Sequence, residues 1–464
     1  MRDISAAHRA HEYLESNWSA DLARVQTFLR QPSVSAQNDG VRAAADMLCA
    51  WLKEQGAVVE YHGDPSMPIV FAEWQVGAPR TLVLYGMYDV QPVDNQVWSS
   101  PPFAAEIHDH PRGGRSVIAR GACNSKGPLI AALNAIAAMR ATGSLPVNVK
   151  WAIEGAEEIG SPGLPEFYER HRERLCADAA YEPFWSQSVQ GETPIVTLGT
   201  KGVVGIEFTC RSGDWGGPLQ TRHSSEGAWL ASPAWRLVQA LASLVNTHQE
   251  LAIDGIPALG PLDTDDEGLL RKLANDFDHR HVLEMAGARA FKRPGLTPFE
   301  LLRQYQFAPA LNINGLISGY AGPGSHTIIP TEARALTDLR IPVGLSVAEV
   351  LTALRRHLDA RGFADIAMEA GPGYPGARTA YSAPVVQALL QAYAAHGYEP
   401  VVRPIEPSAT PYYLFTDVLG LDFTWGGLGA AGGSHGPDEW ASVAGIKDLE
   451  MFVVTFFHAF AGGA

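Results

Sequence analysis

Apolar residues recur at helical spacing from Ile4 to about Leu29. Leu14, Trp18, Leu22, Val25 and Leu29 fall on one stripe, and Gln31-Pro32-Ser33 breaks the run. A second amphipathic stretch runs from Val41 to Leu52 and stops near Gly56. Three short runs follow, AVVEYH, MPIVFAEW and TLVLYG, rich in β-branched and aromatic residues, and these predict strands. LIAALNAIAAMRATG predicts a buried helix closed by Gly143, and VNVKWAIEG predicts the next buried strand. Strands alternating with helices define an α/β domain with a mixed, mostly parallel sheet flanked by helices.

The pattern changes at TPIVTLGTKGVVGIEFTCRSG, where two β runs surround a glycine-rich turn. A helix, SPAWRLVQALASLVN, comes next, then an irregular charged segment from about Asp254 to Arg303, then further β runs. TEARALTDLRIPV alternates like a strand, and SVAEVLTALRRHLDARG predicts a helix capped by Ser346 and closed by Gly362. This is the signature of a smaller α+β module carrying an insertion. After GPGYPGARTAY the α/β style returns, with a helix from Pro384 to Gly397, a glycine-rich loop and a final helix. The expected organisation is one α/β domain, residues 1–199 and 378–464, interrupted by a second domain over 200–377.

A chain of 464 residues is long enough for two cores, which agrees with that division. The formal net charge of −15 argues against a nucleic-acid footprint or a polybasic membrane surface. The start, MRDISAAHRAHEYLESNW, lacks the basic and apolar regions of a signal peptide, and no apolar run is long enough to span a bilayer. The cysteines at 49, 123, 176 and 210 show no CxxC spacing, so neither a zinc ribbon nor a disulfide framework is indicated. A cytoplasmic protein without nucleic-acid or membrane partners is the expectation.

Candidate chemistry lies at the ends of predicted strands, where open α/β sheets build their sites. Asp89 stands in GMYDVQP, Glu154, Glu157 and Glu158 in EGAEEIGSPG, and His435 in GGSHGPDEW. Adjacent glutamates after a buried strand need pairing or a metal to offset desolvation. The competing reading is a solvated loop or a helix N-terminus, where carboxylates are also favoured.

Taken in order, PSVS, LYGMYDVQPVDNQVWSSPPF, ARGACNSKG, EGAEEIGSPG, YEP, TLGTKG, RHSS, SGYAGPGSHTIIP, TDLRIP and GGSHGPDEW span nearly the whole chain. This series resembles the aminoacylase-1, carnosinase and carboxypeptidase G superfamily of co-catalytic zinc peptidases, and within it the cytosolic dipeptidase branch. The resemblance implies a catalytic domain interrupted by a ferredoxin-like lid and dimerisation domain, a homodimer, and amide hydrolysis of a dipeptide or N-acyl amino acid. It also implies Glu157 as general base, Glu158 and His435 as ligands of one metal, and Glu182 as acidic ligand of the other.

Two positions depart from the family pattern. Met87 stands where the family places a metal-binding histidine, and Asn124 where it places the bridging aspartate. A thioether suits copper(I) better than zinc, and a neutral amide brings no charge to hold two dications together. The expectation is therefore zinc as at most one weakly held ion, on Glu158, His435 and the Asn124 oxygen, or no metal. Arg120, Lys126 and Gly127 around the altered bridge are retained.

From the second domain the resemblance implies His223 as an oxyanion donor acting across the dimer, and Arg340 and Thr327 as a grip on the substrate carboxylate. The competing readings are a surface histidine and a strand-face ion pair. A family Gly-Gly-Ser turn is replaced by EPSATPYYLF, which leaves Ser408 as the substrate contact there. Beside metal-assisted hydrolysis stand three other readings: metal-independent isomerisation, acyl transfer or cyclisation through Glu157; a thiol nucleophile at Cys123; and an inactive protein that binds an amino-acid ligand.

Overall fold

The computed structural model describes residues 4–462 and divides into two units. The first joins 1–198 to 379–402 and 414–464; the second joins 199–378 to 403–413. Arg403–Tyr413 therefore departs from the expected division, which placed it with the C-terminal catalytic segment. The reason is pairing: the strand Glu406–Ala409 runs parallel to the long strand Gly199–Arg211, and the Ile405 N–H donates to Gln306 Oε1 at 3.2 Å.

In the first unit the elements are α1 (Ile4–Arg30), α2 (Val41–Glu54), β1 (Val58–His62), β2 (Ile69–Trp74) and β3 (Thr81–Met87). They continue with β4 (Glu106–His110), β5 (Gly114–Ile118), α3 (Lys126–Ala141), β6 (Asn148–Glu154), α4 (Leu164–Arg170) and β7 (Ala179–Pro183). The main sheet runs β1-β2-β6-β3-β7 and then Phe423–Gly426. β3 is parallel to both β6 and β7, and Phe423–Gly426 is parallel to β7, whereas β1 and β2 are antiparallel. The sheet is mixed and mostly parallel, as the alternation of strands and helices predicts. All of α3 from Lys126 to Met139 is buried, so this helix reads as apolar on every face rather than amphipathic. A smaller antiparallel sheet joins β4 and β5 to Trp440–Ser442 and Ala431–Gly432.

The second unit has a sheet ordered Ala310–Ser318, Glu332–Ile341, Gly199–Arg211, Ala367–Tyr374, all antiparallel. The helices Pro233–Ser243 and Val347–Ala360 complete a βαββαβ sequence, which is the ferredoxin-like arrangement. Its core is formed by Val204, Ile206, Phe208, Leu237, Leu241, Leu339, Leu354 and their neighbours. Ser346 accepts from the Glu349 N–H and Glu349 reaches back to the Ser346 N–H, a complete capping box.

Two expectations fail in this unit. The glycine-rich turn around GTKG is part of one 13-residue strand. A Cβ at Gly199 would lie 2.3 Å from the Ala377 carbonyl oxygen, and one at Gly202 would lie 2.4 Å from that of Tyr374. These glycines permit close backbone approach instead of a turn. The segment expected to be irregular holds three helices, Thr264–Asn275, His279–Met285 and Pro298–Phe307. Capping boxes at Asp263/Asp266 and Thr297/Glu300 start the first and third. Among the described residues no helix is long and apolar enough to cross a membrane.

Candidate active site

Parallel strands deliver their C-terminal ends to one edge of the sheet, and the acidic residues cluster there. Met87 ends β3 and lies in register with Glu154, which ends β6. Glu154 is buried and accepts from Tyr85 Oη at 2.5 Å and Ser161 Oγ at 2.9 Å, both on Oε1. Burial above all pushes its carboxyl up to about 8, so it is an acid embedded in the wall. Past β6 the chain turns through Glu157 and Glu158. Asp89, fully buried, fixes this turn by accepting from the Glu157 N–H at 3.1 Å and the Glu158 N–H at 3.0 Å. Burial raises Asp89 to about 6.

Glu157 faces a crowd of like charges. Burial, then Glu158, Glu154, Asp89 and Glu182, push its carboxyl up to about 9. A cation held at Glu158 acts in the opposite direction. Among the described residues no lysine or arginine pairs with Glu157, and every charged group acting on it is a carboxylate. Glu182, at the end of β7, is buried and contributes to the same field.

Glu158 meets His435 and Asn124 directly. His435 Nε2 lies 3.3 Å from Glu158 Oε2. Asn124 Nδ2 lies 2.8 Å from Glu158 Oε1 and 3.2 Å from His435 Nε2. Gln91 donates from Nε2 to Glu158 Oε2 at 2.7 Å. His435 itself sits in the left-handed region with φ +64°, an uncommon conformation for a residue with a Cβ. Its carbonyl accepts from Gln96 Nε2 at 3.0 Å and Arg120 at 3.3 Å, which holds the loop in place.

The Asn124 loop hangs on Glu439. This buried carboxylate accepts from the N–H groups of Gly121, Cys123 and Asn124 at 3.1, 2.9 and 2.7 Å. It also pairs with Arg120 at 2.7 Å. Lys126 is buried one turn further on, with Nζ bonded to the Gln31 carbonyl and 4.5 Å over the Phe28 ring; burial lowers it to about 7. Burial and then Glu439 push the Cys123 thiol up to about 12, the opposite of the lowered pKa a thiol nucleophile needs.

His223, Thr327, Arg340 and Ser408 all belong to the second unit. His223 Nδ1 accepts from the Ser225 N–H at 3.2 Å, and its Nε2 lies within hydrogen-bond distance of Thr327 Oγ1, at 3.0 Å. Arg340 pairs with Asp338, two residues back on the same strand face, at 3.3 Å. Ser408 is exposed on the strand Glu406–Ala409.

The sequence reading missed three supporting residues, Gln91, Tyr85 and Glu439. Gln91 and Glu439 stand inside quoted motifs, DVQP and HGPDEW, and a polar residue beside a motif's acidic or histidine member is the signal that marks them.

A mixed sheet with acids at the C-terminal strand ends, interrupted by a ferredoxin-like unit, defines a two-unit α/β enzyme of the metallopeptidase type. Residues 83–459 match Peptidase family M20/M25/M40, and the chain belongs to that family. It is 30% identical over 306 residues to the Beta-Ala-His dipeptidase of Homo sapiens, covering 64% of this chain and 57% of that protein. It is 26% identical over 372 residues to the Cys-Gly metallodipeptidase dug1 of Schizosaccharomyces pombe, covering 75% of each. The chain thus spans little more than half the length of the human relative. The crystal structure of the M20 family metallo-carboxypeptidase Sso-CP2 from Sulfolobus solfataricus superposes with a TM-score of 0.83 at 28% identity, covering 95% of this chain and 99% of that one.

Met87 and Asn124 bring a thioether and a neutral amide to this part of the chain, not an imidazole and a carboxylate. Among the described residues no group of three or more histidine, cysteine, aspartate and glutamate side chains is arranged to hold a metal. Glu158 and His435 nevertheless stand close together. Donor atoms around tetrahedral zinc lie about 3.3 Å apart for bonds of about 2.0–2.1 Å. The His435–Glu158 pair has this separation, and the Asn124 amide, turned over, would add an oxygen.

Proposed function

We propose that the protein hydrolyses the amide bond of a dipeptide or N-acyl amino acid, with Glu157 as general acid and base. The observation that carries this reading is the Glu157–Glu158–His435 arrangement at the sheet edge in a chain of a peptidase family. At most one ion would be held, by Glu158 and His435 and, once its amide turns over from its present hydrogen bonds, by the Asn124 oxygen, with Glu182 as the acidic ligand of the depleted second position; zinc would suit that donor set. Bound there, it supplies Lewis-acid polarisation of the amide carbonyl.

The chain's own residues do the rest. Among the described residues the Glu157 carboxylate has no ion-pair partner to break before acting, and it adjoins Glu158 of the ion-holding pair. It takes a proton from the attacking water and returns it to the departing amine, so that proton count is conserved over the cycle. His223 donates from Nε2 to the oxyanion at the centre of a second copy in a homodimer, releasing its contact with Thr327 Oγ1 to do so. Arg340 has guanidinium donors left over from its contact with Asp338, and together with Thr327 and Ser408 it binds the substrate carboxylate. A cytoplasmic setting fits this use.

Hydrolysis of a dipeptide panel that includes β-Ala-His and Cys-Gly, followed by amine release, tests the reading. Turnover of at least one dipeptide is expected, with Glu157→Gln lowering kcat about a hundredfold or more. Full activity in Glu157→Gln would overturn the role of Glu157. No turnover of any member, with a bound amino acid raising Tm, would show a binding protein instead.

A further inference from the structure

One nitrogen, Asn124 Nδ2, bridges Glu158 Oε1 and His435 Nε2, the two groups that would share an ion. Asn124 Nδ2 donates to the Glu158 carboxylate and stands against the His435 ring nitrogen, which itself lies 3.3 Å from Glu158 Oε2. The Asn124 orientation is determined twice. Turning the amide over would set its oxygen against the Glu158 carboxylate, and Ser125 Oγ already donates to Oδ1 at 2.8 Å. The second Glu158 oxygen is held by Gln91 at 2.7 Å. Glu439 fixes the base of this arrangement through the Asn124 N–H. Both Glu158 oxygens and the Asn124 amide are therefore engaged by protein groups, in the positions a bridging cation would join.

We propose that Asn124 is a metal-excluding clamp: its amide cross-links Glu158 and His435, and an ion can enter only by displacing it. The proposal rests on the reading of Glu158 and His435 as the ion-holding pair. It goes beyond the loss of a ligand, because an amide that merely failed to bind metal would leave the affinity of the remaining pair untouched. Charge-assisted hydrogen bonds must be broken before coordination, so the clamp lowers affinity actively.

Zinc titration against a chromophoric chelator tests this on the full chain. Asn124→Ala removes the clamp without adding a ligand, and is expected to bind one zinc about tenfold or more tighter than the parent. Asn124→Asp keeps the volume, replaces the donor by a carboxylate, and is expected to bind more tightly still. If Asn124→Ala binds more weakly than or equally to the parent, Asn124 is at most an ordinary ligand and the clamp is overturned. Should Asn124→Ala lose its circular dichroism spectrum, Asn124→Asp decides: unchanged affinity there also overturns the proposal. Dipeptide hydrolysis, assayed separately, distinguishes failure of the clamp from failure of the hydrolase reading.

Discussion

Arg120 Nη1 lies 2.7 Å from Glu439 Oε2, and both side chains are 1% exposed. This pair joins the two loops that carry Asn124 and His435. Glu439 holds the first loop through three backbone N–H groups, while Arg120 donates to the carbonyls of Gly436 and His435 on the second.

Truncating either partner leaves a buried charge alone, which costs about 3–5 kcal/mol. Glu439→Leu also strands the three N–H donors, so it should be more damaging than Arg120→Met. Urea unfolding of the two variants checks the order. Equal stability of both with the parent would show that the pair contributes little to holding the loops.

The donor set predicts zinc stoichiometry. The parent should retain at most one equivalent after exchange into zinc-containing buffer and desalting. A Met87→His, Asn124→Asp double variant should retain two, because it supplies an imidazole and a bridging carboxylate. Two equivalents in the parent, measured by inductively coupled plasma mass spectrometry, would refute the account of Met87 and Asn124.

Arg340 should act on binding more than on turnover. Replacing its planar fork by lysine loses charge-assisted bonds worth about 1.5–3 kcal/mol, or about tenfold or more in KM, with kcat little changed. The variant should also lose its preference for a free over an amidated substrate C-terminus. A fall in kcat with unchanged KM would argue against a carboxylate grip.

His396 gives a pH dependence away from the site. Burial above all, with His11 nearby, lowers it to about 4 from the ordinary 6.5. Between these values the unfolded chain binds more protons than the folded one, so stability falls as pH drops from 6.5 to 4. His11, also lowered by burial, adds to the same slope. His396→Gln should flatten Tm against pH in this window. An unchanged slope would show that His396 does not titrate as its surroundings require.

The periodicity of apolar residues determined much by itself. α1, α2, α3, the alternating strand Glu332–Ile341 and the Ser346-capped helix are legible because each buries a face, or the whole element, that its own sequence marks. The acidic motifs likewise announced Glu157, Glu158 and His435, since charge beside a buried strand demands a reason. What the sequence could not show were relations between distant segments. The GTKG glycines read as a turn until residues 374 and 377 were seen against them, and Arg403–Tyr413 joined the second unit only through pairing with Gly199–Arg211. Asn124 is the sharpest case. Its residue type implied a missing charge, but only the fold, by placing residues 158 and 435 within 3.2 Å of one amide nitrogen, made it a cross-link. Hydrogen bonds are directional and short-ranged, so their partners are chosen by tertiary structure, not by spacing along the chain.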